Sequence, residues 1–100
     1  MPPLFHVRGI PIYGDLILAP MDGFSDLPFR LICRELGSAM SYTEFVSVDE
    51  LSHHVKRTHR KLLFDPSERP MTFQIYGHDE DQLVETAVRL QDLGPDLVDL

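Results

Sequence analysis

The sequence holds a single cysteine, Cys33. One thiol excludes an internal disulfide framework and suits a reducing, cytoplasmic setting. No apolar run approaches the roughly 20 residues that a membrane-spanning helix needs, so no membrane role is expected. The N-terminus, Met1-Pro2-Pro3-Leu4-Phe5-His6, has no basic segment followed by a long apolar core, and no signal peptide is visible. Low-complexity tracts and strong internal repeats are absent. A positive balance of charge is absent too. The formal charge is −7, which argues against a nucleic-acid-binding surface spread over the whole chain.

What is present is the composition of an ordinary globular chain, 43% apolar and 25% charged. One hundred residues make one small domain or part of a larger one. The charge is unevenly placed. Residues 53–61, HHVKRTHRK, hold four cations, three histidines and no acid, whereas residues 79–100 hold seven acids and one cation, Arg89. A local basic patch can meet phosphate even where the chain as a whole is acidic.

Residues 1–14 form a lead-in, with a small strand or hairpin arm in RGIPIYG, 8–14. Asp15 to Ala19 then gives a continuous apolar run, the pattern of a parallel strand covered on both faces. A helix follows, with Ser25 as N-cap, Asp26 in the first turn and Pro28 where a missing N–H costs little. Leu27, Phe29, Leu31, Ile32, Cys33 and Leu36 supply its apolar positions, and Gly37 ends it. MSYTEFVSV, 40–48, is the second strand. Residues 49–63 form either one helix or a short helix and a loop. Pro66 and Pro70 bracket a turn before the third strand, MTFQIYG, 71–77. Asp79 caps the next helix, with Gln82 completing a capping-box pattern, and Gly94-Pro95 stops it. A fourth strand begins in DLVDL, 96–100. The fold class is therefore α/β: the N-terminal half of a (β/α)8 TIM barrel, parallel strands with alternating helices, spanning residues 1–100. A whole barrel needs about 250 residues, and this sequence is expected to stop after the fourth strand begins.

In a parallel barrel the chemistry collects at the C-terminal strand ends. These carry Ala19-Pro20-Met21-Asp22, Thr43-Glu44-Phe45, and Gln74 followed by Ile75-Tyr76-Gly77. A Gln in an apolar strand must find partners for a donor and an acceptor. An amide matches the alternating C=O and N–H edge of a flavin or a base.

The run LAPMDGFSDLPFRLICRELG, then YTEFVS, then FQIYG, then GPDLVDL, closely resembles the N-terminal part of the tRNA-dihydrouridine synthases. Four motifs in order, from Asp15 to Leu100, carry the resemblance. It implies an FMN-dependent oxidoreductase that reduces a uridine of tRNA to 5,6-dihydrouridine, with NADPH as reductant. It places flavin contacts at Pro20, Met21, Asp22 and Gln74. Asp22 stands where the family often has a small residue, which leaves its side-chain role open. The proton-donating Cys of the family is expected beyond Leu100, so no catalytic residue is assigned here.

Other readings of the same residues stand beside these. Met21 could fill a gap in the core. Gln74 could bond a neighbouring strand end. Glu44 could be a loop ion-pair partner or face a tRNA substrate. Cys33, amid apolar helix positions, reads as structural. His53, His54 and His59 fit no compact metal set, so no metal is expected. Lys56, Arg57, Arg60 and Lys61 could form a solvated face or contact tRNA phosphates. Two alternatives to the synthase remain: another FMN barrel oxidoreductase acting on a small molecule such as dihydroorotate, or a non-catalytic truncated product. The parent is expected to be a monomer. The 100 residues alone are expected to be inactive and prone to self-association through an open sheet edge.

Overall fold

The computed structural model describes residues 1–100. The lead-in forms an antiparallel hairpin of β1 (Phe5–Val7) and β2 (Ile10–Ile12), paired Phe5 to Ile12 and Val7 to Ile10. Helix α1 spans Leu27–Glu35. Next come β3 (Ser41–Tyr42), β4 (Val46–Ser47), and two short helices, α2 (Val48–Ser52) and α3 (Lys56–Arg60). A 3-10 turn over Pro66–Glu68 leads into β5 (Met71–Tyr76). Helix α4 (Glu80–Leu90), a second 3-10 turn and β6 (Leu97–Asp99) complete the chain. The 49–63 segment is thus two helices. They part at His53 and His54, the latter with φ 55°.

The sheet is parallel throughout. β5 is central, with β3 and β4 along one side and β6 along the other. β3 and β4 are one strand interrupted by a bulge. Tyr42 pairs with Thr72 and Val46 with Ile75, so four steps on one strand face three on the other. Along β5 the side chains alternate. Met71, Phe73 and Ile75 join Val46, Val48, Leu62 and Leu90 in the main core, under α2 and α4. The opposite face carries Tyr42, which packs with Leu97 and the hairpin residues Val7, Ile10 and Ile12 in a second, smaller core. The hairpin therefore closes the N-terminal end of the sheet. Gly77, just after β5, is required by space. A Cβ there would lie 2.5 Å from the Val48 Cγ2 methyl.

Two expectations are corrected. Residues 15–19 join no ladder. They run alongside residues 38–39, tied by Ala39 N–H to the Leu16 carbonyl (2.8 Å) and Leu18 N–H to Ser38 Oγ (3.1 Å). Leu16 and Ile17 are exposed, because only one side of this segment meets a neighbour. Helix α1 also differs. Its N-cap is Asp26, whose carboxylate accepts from Phe29 N–H at 3.1 Å. Gly37 follows the C-cap with φ 113°, as expected of its role. The residue α1 buries is Arg30, while Phe29, Ile32 and Leu36 are exposed.

Arg30 forms an ion pair with Glu68, Nε to Oε1 at 2.6 Å, with the two side chains 2% and 0% exposed. Its remaining donors reach the carbonyls of Ser25 (3.0 Å) and Leu63 (2.9 Å). Glu68 Oε2 accepts from Asp65 N–H in a capping box. Removing Glu68 strands a buried guanidinium. Glu68→Ala is expected to cost about 3–5 kcal/mol, measured as a lower urea midpoint; an unchanged midpoint would contradict this structural role.

Candidate functional site

The segment after residue 19 makes a tight corner. The Met21 carbonyl accepts from Phe24 N–H and Ser25 N–H, both at 2.9 Å. Met21 N–H donates to Ser25 Oγ (2.8 Å), and the Ser25 hydroxyl donates back to the Met21 carbonyl (3.1 Å). Ser25 is thus the clasp of the corner and not the helix cap. Both main-chain groups of Met21 are occupied, and its side chain is left 39% exposed. Pro20 precedes it, half-buried. Asp22 turns away from the corner to pair with Lys61, Oδ1 to Nζ at 2.8 Å.

The bulge joins this corner to the sheet. Gly23 N–H donates to Glu44 Oε2. Glu44 is 8% exposed, and its neighbour Thr43 is fully buried. Thr43 N–H donates to the Thr72 carbonyl, and Thr43 Oγ1 accepts from Gln74 N–H at 3.0 Å. The Gln74 side chain donates from Nε2 to Asp99 Oδ2 at 3.0 Å, so it does bond a neighbouring strand end, while Oε1 accepts nothing within the chain. Phe45 packs edge-on to Tyr76, with ring centroids 5.1 Å apart.

The basic segment divides in two. Lys61 is spoken for: besides Asp22 it reaches the Phe45 carbonyl (3.4 Å) and lies 5.4 Å from the Phe45 ring centroid. Arg57 pairs with Glu50 at 3.1 Å. Lys56 and Arg60 form no ion pair and are exposed. Arg57, Arg60 and Lys61 line a pocket of about 230 Å³ with Asp26, Leu27, Arg30 and Glu44. His54 and His59 stack with centroids 6.0 Å apart, and no three His, Cys, Asp or Glu side chains are arranged to hold a metal ion. Cys33 is half-buried and unpaired.

Sequence reasoning expected Pro20, Met21, Asp22, Glu44 and Gln74 at strand ends; Glu44 reaches the Met21 corner through Gly23, Gln74 lies on β5, and Asp22 pairs with Lys61. It missed Ser25 as the clasp, Gly23 as the partner of Glu44, and Thr43 as the anchor of Gln74. It also missed the Arg30–Glu68 pair. A signal existed for part of this: Asp65-Pro66-Ser67-Glu68 is a capping-box pattern that fixes Glu68 at a helix start.

A parallel α/β sheet with its polar groups gathered at the C-terminal strand ends is the arrangement in which such proteins place a cofactor or substrate. Within that class, the model of the dihydrouridine synthase (Dus) family matches residues 17–100. The chain belongs to this family. It is 39% identical over 85 residues to tRNA-dihydrouridine synthase B of Pseudomonas aeruginosa, covering 85% of this chain and 26% of that protein. It is 33% identical over 89 residues to a probable tRNA-dihydrouridine synthase of Aquifex aeolicus, covering 87% of this chain and 28% of that protein. A probable tRNA-dihydrouridine synthase 1 of Synechocystis is 30% identical over 96 residues, with 95% of this chain and 27% of the relative covered. The chain therefore spans about a quarter of the length of the relatives it matches.

Glu50 gives the contact between α2 and α3 a pH response. The Thr58 hydroxyl (2.9 Å) and then the Arg57 guanidinium (3.1 Å) hold its carboxyl below the usual carboxylate value. A carboxyl lowered in the folded state adds stability above its unfolded pKa, and that contribution is lost as pH falls through the lowered value. The contact between α2 and α3 is therefore expected to loosen on acidification below 4.5. Amide protection in α3 should fall over that range in the native protein and vary less with pH in Glu50→Gln. Equal pH dependence in the two would refute the assignment.

Proposed function

We propose that the protein is a flavin-dependent tRNA-dihydrouridine synthase and that these residues form the first strands of its (β/α)8 barrel. The observation that carries the reading is the family match over residues 17–100. The names of the relatives point to tRNA as substrate. They give no support to a barrel acting on a small molecule such as dihydroorotate.

The residues fit FMN. Met21 offers a polarizable side chain whose own main chain is fully bonded, so the corner can face a flat ring without rearranging. Gln74, on β5, keeps a free amide oxygen. Pro20 fixes the approach to the corner, and Asp22 bears on the site through Lys61. Pro20, Met21 and Gln74 would hold FMN, which when bound and reduced by NADPH would supply the hydride that converts uridine to 5,6-dihydrouridine. On this reading the residues of this chain bind and orient the cofactor. No helix here is long and apolar enough to cross a membrane, and a cytoplasmic, monomeric parent is consistent with the reading.

Lys56 and Arg60 are the phosphate contacts of choice, with Arg57 beside them, because Lys61 is committed to the corner. In the full-length protein, Lys56→Ala with Arg60→Ala is expected to weaken tRNA binding. It should also flatten the salt dependence by roughly one unit of slope per charge removed. The same preparations decide the main reading: flavin absorbance in the purified protein and dihydrouridine formed in tRNA support it, and a full-length protein with neither overturns it. Expressed as 100 residues alone, the chain should self-associate. Val84, Val88 and Val98 lie exposed beside the unpaired edge of β6. Sedimentation is expected to show oligomers that Val84→Lys with Val88→Lys disperses; a monodisperse native monomer would refute this.

A further inference from the structure

The bulge between β3 and β4 does more than bend a strand. In an unbroken parallel ladder, Ser41 N–H to the Pro70 carbonyl and Thr43 N–H to the Thr72 carbonyl would be followed by Gln74 N–H to the Thr43 carbonyl. Here Gln74 N–H goes to the Thr43 hydroxyl instead, at 3.0 Å. That exchange frees the chain to turn at residue 43. The next side chain, Glu44, then reaches out of the sheet to Gly23 N–H in the Met21 corner.

Two adjacent residues therefore tether two separate segments. Thr43 holds the main chain of Gln74, and Glu44 holds the main chain two residues after Met21. Both tethering residues are buried, with Thr43 at 0% and Glu44 at 8% exposure. The corner has few other fixings to the sheet, because residues 15–19 belong to no ladder. Lys61 adds one to Asp22 and the Phe45 carbonyl, which again lies in the bulge.

We infer that Thr43 and Glu44 are positioning residues that set the separation between the Met21 corner and the Gln74 amide. The inference rests on the flavin reading above: two groups that face one rigid ring system from separate segments must be held at a fixed spacing. Neither residue needs to touch the ring. Their effect on it passes through Gln74 and Gly23.

The test uses the full-length protein loaded with FMN, and four variants in two pairs. Thr43→Val keeps the shape and removes the acceptor, while Thr43→Ser keeps the acceptor. Glu44→Ala removes the second tether, while Glu44→Gln keeps an oxygen for Gly23 N–H. Thr43→Val and Glu44→Ala are each expected to raise the FMN dissociation constant about tenfold, the effect of losing one buried hydrogen bond. They should also change the visible circular dichroism of the bound flavin. Thr43→Ser and Glu44→Gln should retain the native spectrum and affinities close to the native one. Should Thr43→Val fail to fold, the Glu44 pair decides alone. Native affinity and spectrum in the acceptor-deleting variants overturn the inference, as does equal damage in the acceptor-keeping ones. A native full-length protein that takes up no FMN overturns the flavin reading itself, which is a different and separable result.

Discussion

Arg30 is the constraint on which the arrangement turns. A planar guanidinium in the interior must satisfy its donors in fixed directions. Here those directions are a carboxylate 38 residues away, the Leu63 carbonyl and the Ser25 carbonyl. Helix α1 and the segment before β5 consequently form one unit. The grip on Ser25 extends further, because Ser25 clasps both main-chain groups of Met21. A chain of hydrogen bonds thus runs from Glu68, beneath the sheet's entry, to the corner at its exit. Replacing such a pair by apolar residues often leaves stability unchanged or higher. The gain here is placement: an apolar contact could slide, and a fork holding two carbonyls and a carboxylate cannot.

The sheet achieves a similar economy at its other edge. Ser47 is both the last residue of β4 and the N-cap of α2, accepting from Glu50 N–H at 3.2 Å. Strand passes into helix with no loop between them. Val46 and Val48, on either side, are both fully buried in the main core. That tight passage brings Val48 against the chain after β5 and leaves room there only for Gly77. The bulge makes the geometry possible, since the extra residue rotates the strand before it turns into the helix.

Features fixed by near neighbours in sequence were legible. Asp79 caps α4 by accepting from Gln82 N–H three residues on, and Gly94 ends the following turn with φ 79°. Strand β5 shows its own identity in MTFQIY. Features fixed by distant partners were not. Residues 15–19 look like a buried strand by composition, but burial is a property of what lies on both sides, and composition is silent on that. Arg30 looks like a solvated charge on an apolar helix until Glu68 is placed beside it. Lys61 looks like its basic neighbours until Asp22, 39 residues earlier, is found within 2.8 Å. For the candidate site, the residue types at the strand ends were readable, but the tethers that space them were not. Each tether joins a side chain to the main chain of a distant segment, and main-chain groups carry no sequence signature.

The two ends of the sheet are covered differently. At the N-terminal end the hairpin lays Ile12 over Ala39 and Met40, and all three are buried. At the C-terminal end Met21, Phe24, Phe45 and Tyr76 remain exposed although they are large and apolar. Exposure there is not neglect of polar satisfaction. The main-chain groups of Met21, Gly23 and Gln74 are bonded to side chains supplied for the purpose. An end that bonds its backbone internally and leaves apolar side chains open can receive an apolar, planar partner without losing those bonds. Burying such side chains against a flat ring gains about 25 cal/mol per Å², with no polar group of the corner left to lose its bonds. On the flavin reading proposed above, a cofactor seated there would cover Met21, Phe45 and Tyr76.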